Sequence, residues 1–385
     1  MRLLFVADGR SPIALNWLRY FVERGDEVYL ASTFACQPEI RLAGLEIVPV
    51  AFSGVKSGAE TGSKPRRGIW GASTLKLRTA LRQWAGPLTI PRASRQLRGF
   101  IERVQPDLVH AMRIPYEGML AADAAGLAPL VVSVWGNDFT LHAPATPLMS
   151  HYTGWTLAVA DGLHADCQRD IRLGKQLGFQ ASRPTLVTPG NGGIRAEVFF
   201  RPQKPPSAPL VVNPRGFRAY VRNDAFFAAI PLVLKEFPGA RFACVSMAGE
   251  RQVLEWTEKL GIGASVELLP ARPHAAMAEL FRAAQVVVSP TTHDGTPNSL
   301  LEAMACGCFP VAGDLESIRE WITPGQNGLL VDAGDPVALA AAILRGLKES
   351  ALRELAAEQN AAIIAERAEY GRNMARVVEF YEQLG

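Results

Sequence analysis

The 385 residues are too many for one ordinary α/β core and suit two domains, each under about 200 residues. With 48% hydrophobic and 20% charged residues the composition is globular, which excludes a disordered or fibrous chain, and a net charge of +3 demands no nucleic-acid partner. The cysteines, Cys36, Cys167, Cys244, Cys306 and Cys308, are scattered and lack a CxxC pair, so reduced thiols in a cytosolic protein are expected, not a disulfide framework or zinc site. No apolar run approaches the ~20 residues of a membrane span. The short apolar run after Arg2 is also too brief for the core of a cleaved leader.

In chain order, LLFVA (3–7) is a continuous apolar run, as in a parallel strand buried on both faces. DGRSP (8–12) is a turn. Ile13, Leu15, Trp17, Leu18, Phe21 and Val22 then recur at helical spacing until Gly25 stops them, and EVYLAS follows as a second strand. This βαβ opening implies a parallel sheet. Further short apolar runs follow at 45–50, 107–111, 130–135, 162–166 and 184–189, separated by helical stretches. RPQKPPSAP (201–209) has linker composition. A second alternation runs through 210–214, 241–247, 265–270, 283–290, 308–313 and 328–332, and a terminal stretch reads as helical throughout. The expected division is 1–200, a linker at 201–209, 210–365, and a last helix, 366–385, packing back on the N-terminal domain. Two doubly wound α/β domains of this kind face a cleft and bind ligands at strand carboxyl ends.

Residues 56–98 interrupt the first domain with ten Lys or Arg against the single acid Glu60. An anionic membrane surface is one partner this charge suits, with each well-placed cation adding roughly 1 kcal/mol. That would place the protein peripherally at the inner face of the cell membrane. A solvated basic face is an equal reading.

The densest chemical signal is SPTTHDGTPNSLLEAMACGCFPVAG (289–313). A buried strand ends in a polar turn with Gly295, and the turn enters a helix that stops at Gly307. Free N–H groups and the positive dipole end at such a helix start favour phosphate. Asp294 in the turn and Glu302 on the helix are good acceptors for sugar hydroxyls. Just after the proline-rich stretch, VVNPRGFRAYVRND (211–224) sets Arg215, Arg218 and Arg222 at another strand's carboxyl end, a pattern that suits an anion.

On these residues the chain resembles the retaining GT-B glycosyltransferases of family 4 (glycosyl transferases group 1). Their signature is an acid and Gly, six further residues and Glu-Ala, then a small-Gly pair ahead of Pro-Val. Here it is Asp294-Gly295, Glu302-Ala303, Cys306-Gly307 and Pro310-Val311, with Asp294 where the family usually has Glu. The resemblance implies two Rossmann-like domains, an acceptor domain (1–200) and a donor domain (210–365). It implies a nucleotide-diphosphate sugar as donor, a hydroxyl acceptor of unknown identity, and retention of anomeric configuration. By the same resemblance Asp294 contacts the donor sugar and Glu302 the ribose. Gly295, Thr296, Pro297, Asn298 and Ser299 face the sugar and phosphates. Arg215 and Arg222, with Arg218 as rival to Arg222, neutralise the leaving diphosphate. Ala271 and Arg272 meet the base through backbone, and Gly9 lets the first turn approach the donor phosphate. Trp135 replaces a common His in VWGNDF, so no catalytic histidine is assigned there, and His110 reads as structural. No Asp-x-Asp motif is present, so no metal is expected and no cofactor is required. A nucleotide-sugar epimerase of the same fold and an inactive nucleotide-sugar-binding scaffold remain alternatives. A Rossmann dehydrogenase is disfavoured because DGRSP lacks GxGxxG.

Overall fold

The apolar runs form two all-parallel sheets. The structure is a computed structural model that describes residues 1–51, 53 and 82–385. The basic residues between 54 and 81 therefore lie outside the described residues; Arg82, Arg92, Arg95 and Arg98 lie within them. The chain divides into unit 1, Met1–Gly192 with Met374–Gly385, and unit 2, Gly193–Asn373.

Unit 1 carries β1 (Arg2–Ala7), β2 (Glu27–Ser32), β3 (Gly44–Ile47), β4 (Leu108–Ala111), β5 (Leu130–Val134), β6 (Gly162–Ala165) and β7 (Thr185–Val187) in the order β3-β2-β1-β4-β5-β6-β7. Leu4, Val6, Val109 and Val132 are fully buried or nearly so, as central parallel strands require. The helix Pro12–Arg24 starts on a Ser11 cap with proline in its first turn and ends at Gly25, whose φ of +93° suits glycine. It buries Trp17, Leu18 and Phe21, and the Trp17 indole donates to the Gly190 carbonyl at 3.0 Å.

Unit 2 carries β8 (Leu210–Asn213), β9 (Arg241–Val245), β10 (Val266–Leu269), β11 (Val286–Ser289), β12 (Phe309–Gly313) and β13 (Leu329–Val331), ordered β10-β9-β8-β11-β12-β13. This is the dinucleotide-fold order, with its reversal between β8 and β11. Val211, Val212 and Val286 to Val288 have no exposed surface.

Two expectations are corrected. The proline-rich 201–209 is not where the units part. The division falls at Gly192/Gly193, and the proline segment is docked on unit 2, where the Gln285 amide donates to the carbonyls of Pro206 (3.0 Å) and Ser207 (3.4 Å). Nor is the terminal stretch helical throughout. It breaks between Ser350–Arg367 and Tyr370–Glu382, because Ile194 pairs there with Glu369 and its N–H donates to the Ala368 carbonyl. The division between units lies inside the second of these helices, at Asn373/Met374.

Candidate functional site

In unit 2 the reversal of strand order leaves a crevice outside the carboxyl ends of β8 and β11, the standard ligand position in such sheets. Two loops leave these ends and are knitted together. The Arg222 N–H donates to the Pro290 carbonyl (2.8 Å), the Thr292 N–H to the Tyr220 carbonyl (2.9 Å), and Val221 bridges Thr291. The first loop is further held by Asn213 and Asn223. The Asn213 carbonyl oxygen accepts from the Arg215 N–H (3.0 Å), its amide donates to Asn223 (3.1 Å), and Asn223 donates to the Gly216 carbonyl (2.9 Å).

This clasp directs Arg215 to the second loop, where it forms an ion pair with Asp294 and donates to Ser299 Oγ at 3.3 Å. Arg215 and Asp294 are 10% and 16% exposed, so the pair is largely desolvated yet still reachable. The Arg215 Nε is buried with no hydrogen-bond partner among the described residues, as is Asn298 Oδ1. The turn itself is braced by Ser317, whose hydroxyl donates to the Asp294 carbonyl (2.8 Å), and by Trp321, whose indole donates to Thr296 Oγ1 (2.9 Å). The helix Asn298–Ala305 starts after Pro297 with no side-chain cap, which leaves its positive end to the site. One turn in, Glu302 is buried, and burial alone pushes its carboxyl up to about 7.

The other predicted residues are more dispersed. Arg222 makes a two-point pair with Asp224 (2.9 and 2.7 Å), and Arg218 donates to the Tyr220 hydroxyl (2.8 Å). Neither is bonded to the Arg215 cluster. Ala271 and Arg272 lie in an exposed loop after β10, at the sheet edge. Gly9 belongs to unit 1, and its N–H already donates to Ser32 Oγ (3.0 Å). A Cβ there would lie 2.4 Å from the Cys36 sulfur, so close packing explains this glycine. Asn213, Asn223, Ser317 and Trp321 escaped the sequence reading, since their work is to hold loops that meet only after folding.

Unit 1 has its own reversal, between β1 and β4, and a pocket of about 360 Å³ opens there. Arg10, Phe34, Arg82, Arg113, Tyr116 and Trp135 are among its lining residues. His110 does not line it. It is buried between the Tyr381 hydroxyl (2.5 Å) and Ser133 Oγ (2.7 Å), a structural position as expected. Asp166, Cys167 and Asp170 offer ligand atoms within 4.8 Å of one another. The guanidinium of Arg169 already sits on Asp170 at 2.8 Å, and burial pushes the Cys167 thiol up, whereas a metal ligand must be thiolate.

Residues 9–190 match the family described as glycosyl transferase 4-like domain, and residues 216–349 match glycosyl transferases group 1. A D-inositol 3-phosphate glycosyltransferase of Thermobispora bispora is 26% identical over 58% of this chain and 56% of the relative. One from Thermomonospora curvata is 32% identical over 51% of each. The chain thus spans about half the length of these relatives, and less of others. Among solved structures, sucrose-phosphate synthase from Thermosynechococcus elongatus superposes with a TM-score of 0.74 at 15% identity, covering 100% of this chain and 99% of that one. Anabaena HepE, solved in complex with UDP-glucose, gives 0.73 at 16% identity over 99% of each. At such identities the likeness is one of fold, that of the GT-B glycosyltransferases.

Proposed function

The chain belongs to the GT4-like, group 1 glycosyltransferases, and on that premise we propose that it moves a hexose-type sugar from a nucleotide-diphosphate donor to a hydroxyl acceptor. The observation that carries this reading is the Arg215–Asp294–Ser299 cluster at the β8/β11 reversal, beside an uncapped helix start. When the bond from the anomeric carbon to the diphosphate breaks, negative charge collects on the leaving phosphate. Preorganised positive charge at that point is the economical catalyst. Arg215 and the first turn of Asn298–Ala305 supply it, and Arg222 joins them by leaving Asp224. Asp294 is released from Arg215 to accept from sugar hydroxyls, Glu302 takes the ribose hydroxyls, and backbone at Ala271 and Arg272 meets the base. With this charge in place the transfer is metal-independent, and front-face substitution assisted by the leaving phosphate retains the anomeric configuration. HepE's UDP-glucose supports a uridine donor, and a guanosine donor is the competing choice.

The deciding experiment is a thermal-shift screen with UDP, GDP and their sugar conjugates, in EDTA and in magnesium. A ligand at 100 times its Kd stabilises by about 2.7 kcal/mol. A shift with one nucleotide, unchanged by EDTA and lost in Arg215→Ala, supports the donor site; no shift with any nucleotide sinks it. NMR of the product's anomeric proton then tests retention. Turnover of donor without acceptor would instead mark an epimerase, and binding without any turnover a scaffold.

Trp84 and Leu88 are 63% and 72% exposed on unit 1, close in sequence to exposed Arg92, Arg95 and Arg98. This mixture supports peripheral attachment to an anionic membrane. Liposome co-sedimentation indifferent to anionic lipid would refute it.

A further inference from the structure

The ion pair in the crevice of unit 2 is incomplete, as four others in the molecule are not. Arg10 with Asp8, Arg24 with Asp26, Arg222 with Asp224 and Arg319 with Asp314 each meet through two bonds, Nε to one carboxylate oxygen and Nη2 to the other, at 2.6–3.1 Å. Arg215 gives Asp294 a single bond, from Nη2 to Oδ2. Its Nη1 turns to Ser299 Oγ at 3.3 Å, and its Nε is buried with no partner among the described residues. Nε–H and Nη2–H point the same way, along the edge on which a guanidinium takes two oxygens at once. Asp294 fills half of that edge. Its backbone is anchored, since Ser317 donates to its carbonyl at 2.8 Å and Trp321 to Thr296 Oγ1 at 2.9 Å, so the short side chain reaches the arginine at one point.

The same turn carries the opposite deficiency. Asn298 Oδ1 is buried and receives no donor among the described residues. Buried polar groups without partners carry an uncompensated desolvation cost. An oxyanion satisfies the Arg215 Nε and a hydroxyl satisfies Asn298, so the empty crevice lacks both parts of a nucleotide sugar.

We propose that Asp294 selects an intact nucleotide sugar over the free nucleoside diphosphate, by occupying the Arg215 edge while the crevice is empty and yielding it to phosphate. This rests on the donor reading of the site. A phosphate offers two oxygens to Nε and Nη2 together and so displaces the one-point carboxylate. Arg215 and Asp294 are 10% and 16% exposed, so the carboxylate loses its guanidinium where water replaces it poorly, and it then faces a second anion. A hexose on that phosphate brings hydroxyls that donate to the displaced carboxylate and offset the loss. A free nucleoside diphosphate brings only further negative charge. The donor is thereby held more tightly than the product, which is expelled once its sugar has gone.

The test is calorimetry on the whole chain with inorganic pyrophosphate, UDP and GDP, and with UDP-glucose and GDP-mannose. Asp294→Asn and Asp294→Ala should each raise affinity for pyrophosphate and for the preferred nucleotide by about tenfold, and should bring that nucleotide level with its sugar conjugate. Asp294→Glu, which restores the charge, should keep the nucleotide weak. Arg215→Ala should abolish binding whichever residue stands at 294. Unchanged or lowered affinity for the sugar-free probes in both neutral variants, with Arg215 still required, overturns the proposal and leaves the donor site standing. An equal rise in Asp294→Glu also overturns it, since the charge would then be irrelevant. Absence of nucleotide and pyrophosphate binding in the wild type and in both neutral variants removes the donor site and the proposal together.

Discussion

Glu302 is a carboxyl of unit 2 whose chemistry departs from its ordinary behaviour. Burial is the sole cause, raising its carboxyl from 4.5 to about 7. Below pH 4.5 folded and unfolded chains both hold the proton, and the group leaves stability untouched. Between 4.5 and about 7 only the unfolded chain releases it, so stability falls as pH rises. Above 7 the loss levels off at about 3 kcal/mol. Glu302→Gln should therefore stabilise the fold at pH 8 and leave it unchanged at pH 4.5, as read by denaturant titration at both values. Nucleotide binding runs the other way, because ribose hydroxyls donate best to the ionised carboxylate. Affinity for the preferred nucleotide should rise as pH passes through about 7 in the wild type, measured by calorimetry against Glu302→Gln, which cancels the ligand's own titration. Identical pH profiles for the two proteins would remove Glu302 from the ribose.

Strand ends fix the spacing of the loops after β8 and β11, and the tightest point is where β12 passes the loop after β11. A Cβ on Gly313 would lie 2.2 Å from the Thr291 carbonyl oxygen, a backbone atom that cannot yield without moving the turn that holds Asp294. Gly313→Ala should cost about 1–3 kcal/mol and weaken nucleotide binding at least tenfold, though Gly313 is no ligand. Gly261→Ala is the control. Its φ of +65° makes the substitution cost about 1 kcal/mol, but nothing lies within 4 Å, so binding should survive. Binding kept in Gly313→Ala would mean the turn adjusts freely.

At this scale much was legible in the sequence. Parallel strands buried on both faces write themselves as runs such as LLFVA and VVVS, and the strand–turn–helix that carries Asp294, Gly295 and Glu302 is legible from its own residues. What was hidden depends on distant partners. Arg222 turns to Asp224 and Arg215 to Asp294, a choice among acids that spacing does not encode. The proline segment looked like a free linker because its anchor, Gln285, lies on another element. The break after Arg367 was hidden because Ile194, which pairs there with Glu369, lies far away in the chain.

The buried histidines of unit 1 and the buried Glu302 of unit 2 pull stability in opposite senses, so the whole chain should answer acid in two directions at once. In unit 1 a buried chain of hydrogen bonds runs from the Tyr381 hydroxyl through His110, Ser133 and His164 to Thr188, with the later links at 2.7, 2.8 and 2.9 Å. It ties the returning segment Met374–Gly385 to the sheet of that unit. Tyr381→Phe strips His110 of one partner and should cost about 1–3 kcal/mol, confined to unit 1. Burial lowers His164 from 6.5 to about 4, and His110 lies well below its ordinary value. Above pH 6.5 these rings are neutral in both states. As pH falls below 6.5 the unfolded chain takes up protons that the folded unit refuses, so unit 1 loses stability. Asp170, raised to about 6, and Glu117 oppose this, Asp170 only below pH 6. Unit 2 gains over the same range, because Glu302 regains its proton. Hydrogen exchange between pH 7.5 and 5.5, corrected for intrinsic rates, should show amides of β4 and β5 losing protection while those of β8 and β11 gain it. Tyr381→Phe should accelerate exchange in the first pair alone. A common shift of both pairs in one direction would mean either that the units open as a single body or that the buried histidines accept protons in place, and a Tyr381→Phe effect spreading to β8 and β11 would select the former.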